Sequence, residues 1–128
     1  MPSRPSILYV EDDGAIADMY SLGLTRAGFD LTIAPDWPAG LRLLRTRGFD
    51  VVLLDIMLPG SSGMDALEEI RADRALRGLR VAVLSNSELT PEVHARATDL
   101  GILGWLIKTR YPPPLVARTI RRWLAGRV

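Results

Sequence analysis

The chain has 128 residues, is 48% hydrophobic, and sets sixteen Lys and Arg against fifteen Asp and Glu for a formal charge of +1. That length suits one domain with its own core, and the balanced charge gives no bulk argument for a nucleic-acid or membrane surface. The lack of cysteine excludes disulfide frameworks and thiolate metal sites, no apolar run approaches the ~20 residues that cross a bilayer, and "MPSRPS" is too polar for a signal peptide; a cytoplasmic protein without membrane contact is the expectation.

Along the chain, short apolar runs alternate with longer stretches of helical period. "SILYV" (6–10) reads as a strand that stops at Glu11, Asp12 and Asp13. Residues 14–28 set Ile16, Met19, Tyr20, Gly23 and Ala27 on one helical face, with Asp12 or Asp13 available as N-cap and Gly28 as C-terminal cap. "FDLTIA" (29–34) is a second strand. Asp36 caps a second helix that has Pro38 in its first turn, turns Leu41 and Leu44 inward and ends at Gly48. "DVVLLD" (50–55) is the third strand, and its Pro and Gly make "IMLPGSSG" a loop.

Residues 64–76 read as a helix through Met64, Leu67 and Ile70, and "LRVAVLS" (79–85) as the fourth strand. Thr90 and Pro91 open a helix over 90–100 with Val93, Ala97 and Leu100 apolar. "ILGWLI" (102–107) is the fifth strand and "KTRYPPP" a loop. The last helix, 113–126, has Leu115, Val116, Thr119, Ile120 and Trp123 on one side. Five strands alternating with five helices imply right-handed crossovers and a parallel sheet covered on both faces. Runs such as "VVLL" and "VAVL", apolar without alternation, fit strands buried twice.

Ligands of open parallel sheets bind beyond the carboxyl ends of the strands. Strand one ends in Glu11, Asp12 and Asp13, strand three in Asp55, strand four in Ser85, Asn86 and Ser87, and strand five in Lys108. Singly these are bland: a helix cap, a turn former, a backbone-bonded hydroxyl, a solvated lysine. Together they bring several carboxylates to one edge, where repulsion and burial are costly unless something compensates. A hard cation such as Mg²⁺ does so with oxygen ligands. Lys108 and Ser85 suit a phosphoryl oxygen, and a carboxylate beside Mg²⁺ is a nucleophile toward phosphorus, giving an aspartyl phosphate.

On these motifs the chain resembles a receiver domain of a two-component response regulator, of the CheY-like, stand-alone type. "ILYVEDD" resembles the first strand with its acidic pair, and "DIMLPGSSG" the phosphoacceptor loop, with Pro59 and Gly63 after Asp55. "VLSNS" resembles the fourth strand with its switch hydroxyl, and "GWLIK" the fifth with its aromatic residue and lysine. The resemblance implies a doubly wound, flavodoxin-like sheet of order 2-1-3-4-5 flanked by five helices.

The resemblance also implies roles. Asp55 would accept a phosphoryl group from a histidine kinase or phosphotransfer protein. Mg²⁺ would be held by Asp12, Asp55 and the Met57 carbonyl, and by Glu11 through water. Ser85 would move toward the phosphoryl group with Asn86 beside it, and Lys108 would pair with it. Trp105 would stand at the aromatic switch position, with a plain core tryptophan as the other reading. The added charge would remodel the face of helix four, strand five and helix five, where a protein partner or second copy docks. Catalysis beyond self-phosphorylation and self-dephosphorylation is not expected.

Two positions depart from the family pattern. "KTR" lacks the proline that usually follows the lysine, often through a cis bond, so a trans Lys108–Thr109 bond is expected. Asn86 stands where a small residue is common. Gly63 can take positive φ before the third helix at little cost. The chain ends at Val128 with no room for an output domain; if that is its natural length, output by protein contact is expected and direct nucleic-acid binding is not, whereas for a domain cut from a longer chain the output is open. Arg118, Arg121, Arg122 and Arg127 are read as a solvated face, with an acidic partner as the sharper reading; His94 is given no role. The alternatives are a receiver-like module independent of phosphorylation, or an enzyme on this architecture. A dehalogenase-type phosphatase would need an acid where Met57 stands, and a flavin binder would need a phosphate-cradling loop after strand one.

Overall fold

The computed structural model describes residues 4–57, 62–86 and 90–126. Strands β1 (Ser6–Val10), β2 (Asp30–Ala34), β3 (Val51–Leu54), β4 (Val81–Ser85) and β5 (Trp105–Ile107) alternate with helices α1 (Gly14–Arg26), α2 (Trp37–Thr46), α3 (Gly63–Ala72), α4 (Pro91–Asp99) and α5 (Pro113–Ala125). All strand pairs are parallel and the order is β2-β1-β3-β4-β5, as the family resemblance implied. The chain reverses direction across the sheet between β1 and β3, which is where such folds place their sites.

Every residue of β3 and β4 is buried, because helices cover both faces and the alternating side chains feed two cores. Leu8, Val52, Leu54 and Val81 pack with Trp37, Leu67 and Ile70 of α2 and α3. Tyr9, Leu53 and Leu84 pack with Tyr20, Leu24, Val116 and Ile120 of α1 and α5. Each such aliphatic side chain contributes about 1.5–3 kcal/mol by leaving water.

The caps follow the expected chemistry. Asp13 accepts from the Ile16 N–H at 3.1 Å and Asp36 from Ala39 at 2.9 Å. Ser62 and Asp65 form a reciprocal capping box, and Thr90 accepts from Val93 at 3.1 Å. Such caps stabilise a helix by about 1 kcal/mol each. Gly28, one residue past the C-cap of α1, has φ 100°, a left-handed turn that any side chain would strain.

Several boundaries differ from the sequence reading. The inward face of α1 is Ala17, Tyr20 and Leu24, whereas Met19 is 47% exposed; the apolar stripe is rotated by one position. Helix α3 stops at Ala72, not residue 76. The Asp73 side chain accepts from the Ala75 N–H at 2.8 Å and pairs with Arg45, so it draws the backbone into a turn. Leu79 lies in that turn, bonded to the Leu76 carbonyl, and β4 begins at Val81 rather than 79. Strand β5 is regular only from Trp105, although Leu103 and Gly104 already bond to β4.

The basic stretch 71–80 is partly structural. Arg71 donates to the carbonyls of Leu100 at 2.6 Å, Leu79 at 2.7 Å, Arg77 at 2.9 Å and Gly101 at 3.0 Å. One guanidinium thus closes the C-terminal end of α4 and the turn before β4, a use of its fixed fork of donors. Arg121 likewise stacks over the Phe29 ring at 4.6 Å and donates to the Ala27 carbonyl. It serves the α1–α5 seam instead of lying free on a solvated face.

Candidate functional site

The acidic run after β1 and the acid after β3 meet because those strands are adjacent and in register, Val10 beside Leu54. One carboxylate oxygen from each of Glu11, Asp12 and Asp55 lies within 4.8 Å of the others. Glu11 and Asp55 are buried at 2% and 3% exposure, whereas Asp12 faces solvent. An all-oxygen set with one open side matches a hard divalent cation that keeps part of its water.

Lys108 enters from the end of β5, its backbone N–H bonded to the Ser85 carbonyl at 2.8 Å. Its ammonium pairs with Asp55 Oδ2 at 3.0 Å and with Glu11 Oε1. The Asp55 carboxylate also accepts from the Met57 N–H at 3.0 Å, which brings the Met57 main chain to the site while its side chain is 60% exposed. Glu11 Oε1 accepts in addition from the Tyr9 hydroxyl at 2.9 Å, and Oε2 from the Asp13 N–H at 3.2 Å.

These contacts set the proton affinities. Burial lifts the Asp55 carboxyl above the usual range, against the Met57 N–H and the Lys108 ammonium. Burial acts on Glu11 in the same sense, but there Lys108, the Asp13 N–H and the Tyr9 hydroxyl prevail and lower it. Burial would lower Lys108, yet its two carboxylate partners hold it above the ordinary lysine value. Tyr9 is pushed far up, first by burial and then by the charge of Glu11, so its hydroxyl is a standing donor.

Ser85 is fully buried and its Oγ has no hydrogen-bond partner among the described residues. A hydroxyl left unpaired in a core costs about 1–3 kcal/mol, which makes it a donor in waiting. Asn86 beside it is exposed. Trp105 packs against the α2–α3 core, its ring 5.2 Å from that of His94 on α4, and its buried Nε1 is also unpaired. No described peptide bond is cis, so Lys108–Thr109 is trans.

Gly63 does not use its freedom to take positive φ. Positive φ among the described residues is confined to Gly28 and Gly101. Gly63 is needed for closeness instead: a Cβ there would lie 2.2 Å from the Asp55 carbonyl oxygen. Pro59 and Ser87 lie outside the described residues. The sequence reading missed Tyr9 and Tyr20. Strand alternation held the signal for Tyr9, since residues 9 and 11 share a strand face.

A family model, the response regulator receiver domain, matches residues 7–120. Sensory transduction protein RegX3 of Mycobacterium bovis is 35% identical over 113 residues, covering 88% of this chain and 48% of that protein. DNA-binding response regulator MtrA of Mycolicibacterium paratuberculosis is 34% identical over 119 residues, covering 93% of this chain and 51% of that one. The chain therefore spans about half the length of the curated relatives it matches.

Among solved structures, a CheY-like receiver domain protein from Methanospirillum hungatei superposes with TM-score 0.86 at 26% identity, covering 96% of this chain and 95% of that one. Chemotaxis response regulator CheY4 of Vibrio cholerae gives 0.83 at 26% identity, covering 94% and 98%. The fold, with its acidic strand ends, is that of a CheY-like receiver domain. The chain belongs to the response regulator receiver family.

Proposed function

We propose that Asp55 accepts a phosphoryl group from a histidine kinase or phosphotransfer protein, and that the domain thereby switches a protein partner. The observation that carries this reading is the convergence of Asp55, Glu11, Asp12 and Lys108 at the β1–β3 switch point, with Ser85 buried and unpaired at the end of the neighbouring strand. Asp12, Asp55, the Met57 carbonyl and Glu11 through water would hold Mg²⁺. When bound, that ion neutralises charge on the carboxylates and on the incoming phosphoryl oxygens.

The Asp55 carboxylate oxygen attacks phosphorus, the P–N bond to the donor imidazole breaks, and the ring, already protonated at its other nitrogen, keeps the bond's electron pair and leaves as neutral imidazole. Lys108 pairs with the new phosphoryl oxygens and Ser85 donates its hydroxyl to one of them. Asn86, exposed at the mouth, meets incoming groups. The unpaired Trp105 Nε1 and the His94 contact support a reading in which the α4–β5–α5 face repacks and binds the partner, a protein or a second copy of this chain. MtrA, of which this chain spans about half the length, is described as DNA-binding.

Titration with beryllofluoride in Mg²⁺ tests the site. The expected result is a bound ¹⁹F signal that requires Mg²⁺, together with a tryptophan fluorescence change. A chain that binds neither would instead be a receiver-like module that works without phosphorylation.

A further inference from the structure

Two buried tyrosines flank the site on the side opposite solvent. Tyr9 of β1 and Tyr20 of α1 meet edge to face, ring centroids 6.0 Å apart, and both are fully buried. Their hydroxyls reach the two residues of one ion pair, Tyr9 at the Glu11 side chain and Tyr20 at the main chain of Lys108. Tyr9 donates to Glu11 Oε1 at 2.9 Å, the same oxygen that holds the Lys108 ammonium. Tyr20 donates to the Tyr111 carbonyl at 2.7 Å and lies 3.3 Å from that of Lys108. That is the turn in "KTRY" that no proline stiffens.

We propose that Tyr9 and Tyr20 are positioning residues for the phosphoryl switch: Tyr9 holds the Glu11 carboxylate when Lys108 leaves it, and Tyr20 anchors the main chain from which Lys108 swings. This rests on the phosphoacceptor reading above. In the resting state Glu11 Oε1 has two donors and Lys108 has two carboxylates. A phosphoryl group on Asp55 competes for the ammonium. A buried Glu11 oxygen abandoned by its only donor would resist the move, since an orphaned buried carboxylate oxygen is costly. With Tyr9 in place one donor remains, so the lysine transfers at lower cost. Tyr20 does the complementary work: with the loop backbone fixed, only the lysine side chain needs to move.

Tyr9→Phe keeps the ring and its contact with Tyr20 and removes only the donor. The experiment measures Mg²⁺ affinity alone, then beryllofluoride affinity in saturating Mg²⁺, for wild type, Tyr9→Phe and Tyr20→Phe. Tyr9→Phe should weaken beryllofluoride binding in saturating Mg²⁺ by roughly three- to tenfold, a clearly larger factor than its effect on Mg²⁺ affinity. Tyr20→Phe should also weaken beryllofluoride binding and speed amide exchange at residues 109–111. Equal loss of both affinities in Tyr9→Phe means general loosening and overturns the proposal, as does wild-type beryllofluoride affinity. Should Tyr9→Phe fail to fold, the Tyr20→Phe pair of readouts decides on the same terms. Wild-type protein that takes no beryllofluoride refutes the phosphoacceptor reading itself, a result distinct from a normal wild type with an unaffected variant.

Discussion

Asp55→Asn is expected to abolish phosphoryl acceptance and, in metal-free protein at neutral pH, to raise the melting temperature. The first effect follows because the amide has no carboxylate oxygen to attack phosphorus. The second follows from the environment of Asp55. It is buried, beside the like charges of Glu11 and Asp12, and one Lys108 ammonium serves two of the three carboxylates. Burial lifts the folded-state pKa of Asp55 above its ordinary value of 3.8. The folded chain therefore binds a proton there more readily than the unfolded chain, and ionising Asp55 costs folding stability.

That cost is present above the raised folded value and gone below 3.8, where both states are protonated. The gain from Asp55→Asn, on the order of 1 kcal/mol or about 4 °C, should accordingly shrink as pH falls toward that range. Mg²⁺ should reverse the order: by mass action it stabilises the wild type more than a variant lacking one ligand. Thermal melts at several pH values with and without Mg²⁺ check this. A variant that melts below wild type in metal-free neutral buffer would show that Asp55 is a net stabilising partner of Lys108.

Gly63→Ala should be the most damaging small substitution near the site. The added Cβ would lie 2.2 Å from the Asp55 carbonyl oxygen and 2.7 Å from Ile56 Cα. Both are backbone atoms, so no side chain can rotate away. Gly63 also donates its N–H to the Ile56 carbonyl at 2.8 Å, which ties the start of α3 to the segment that presents Asp55. Relief requires α3 or the end of β3 to shift. A loss of about 3 kcal/mol, read as a melting point lower by roughly 10 °C, is expected, with slower phosphoryl acceptance because Asp55 is displaced. Wild-type stability would mean that the two segments separate at little cost.

Much of this was legible before any coordinates. "VVLL" and "VAVL" announce doubly covered strands, and the βα alternation then brings their polar ends to one edge, so Asp55, Glu11, Asp12 and Lys108 could be named from position alone. Asn86 and Trp105 take their roles from the family resemblance alone, since exposure and unpaired donors depend on packing between elements distant in sequence. Gly63 shows the same limit: its neighbour Asp55 is eight residues away, and only the fold reveals a close approach where local rules suggested positive φ. The end of α3 was missed because Asp73 bonds its own backbone and Arg45, a competition that helical periodicity does not register. The four carbonyl partners of Arg71, at Arg77, Leu79, Leu100 and Gly101, likewise come together only in the fold.

The most direct test of Asp55 as phosphoacceptor is incubation with acetyl phosphate and Mg²⁺, followed by peptide mapping of the acyl phosphate. The result expected is one phosphoryl group per chain, on Asp55, dependent on Mg²⁺ and absent from Asp55→Asn. Failure to acquire the group, or its appearance on another residue, would contradict the assignment.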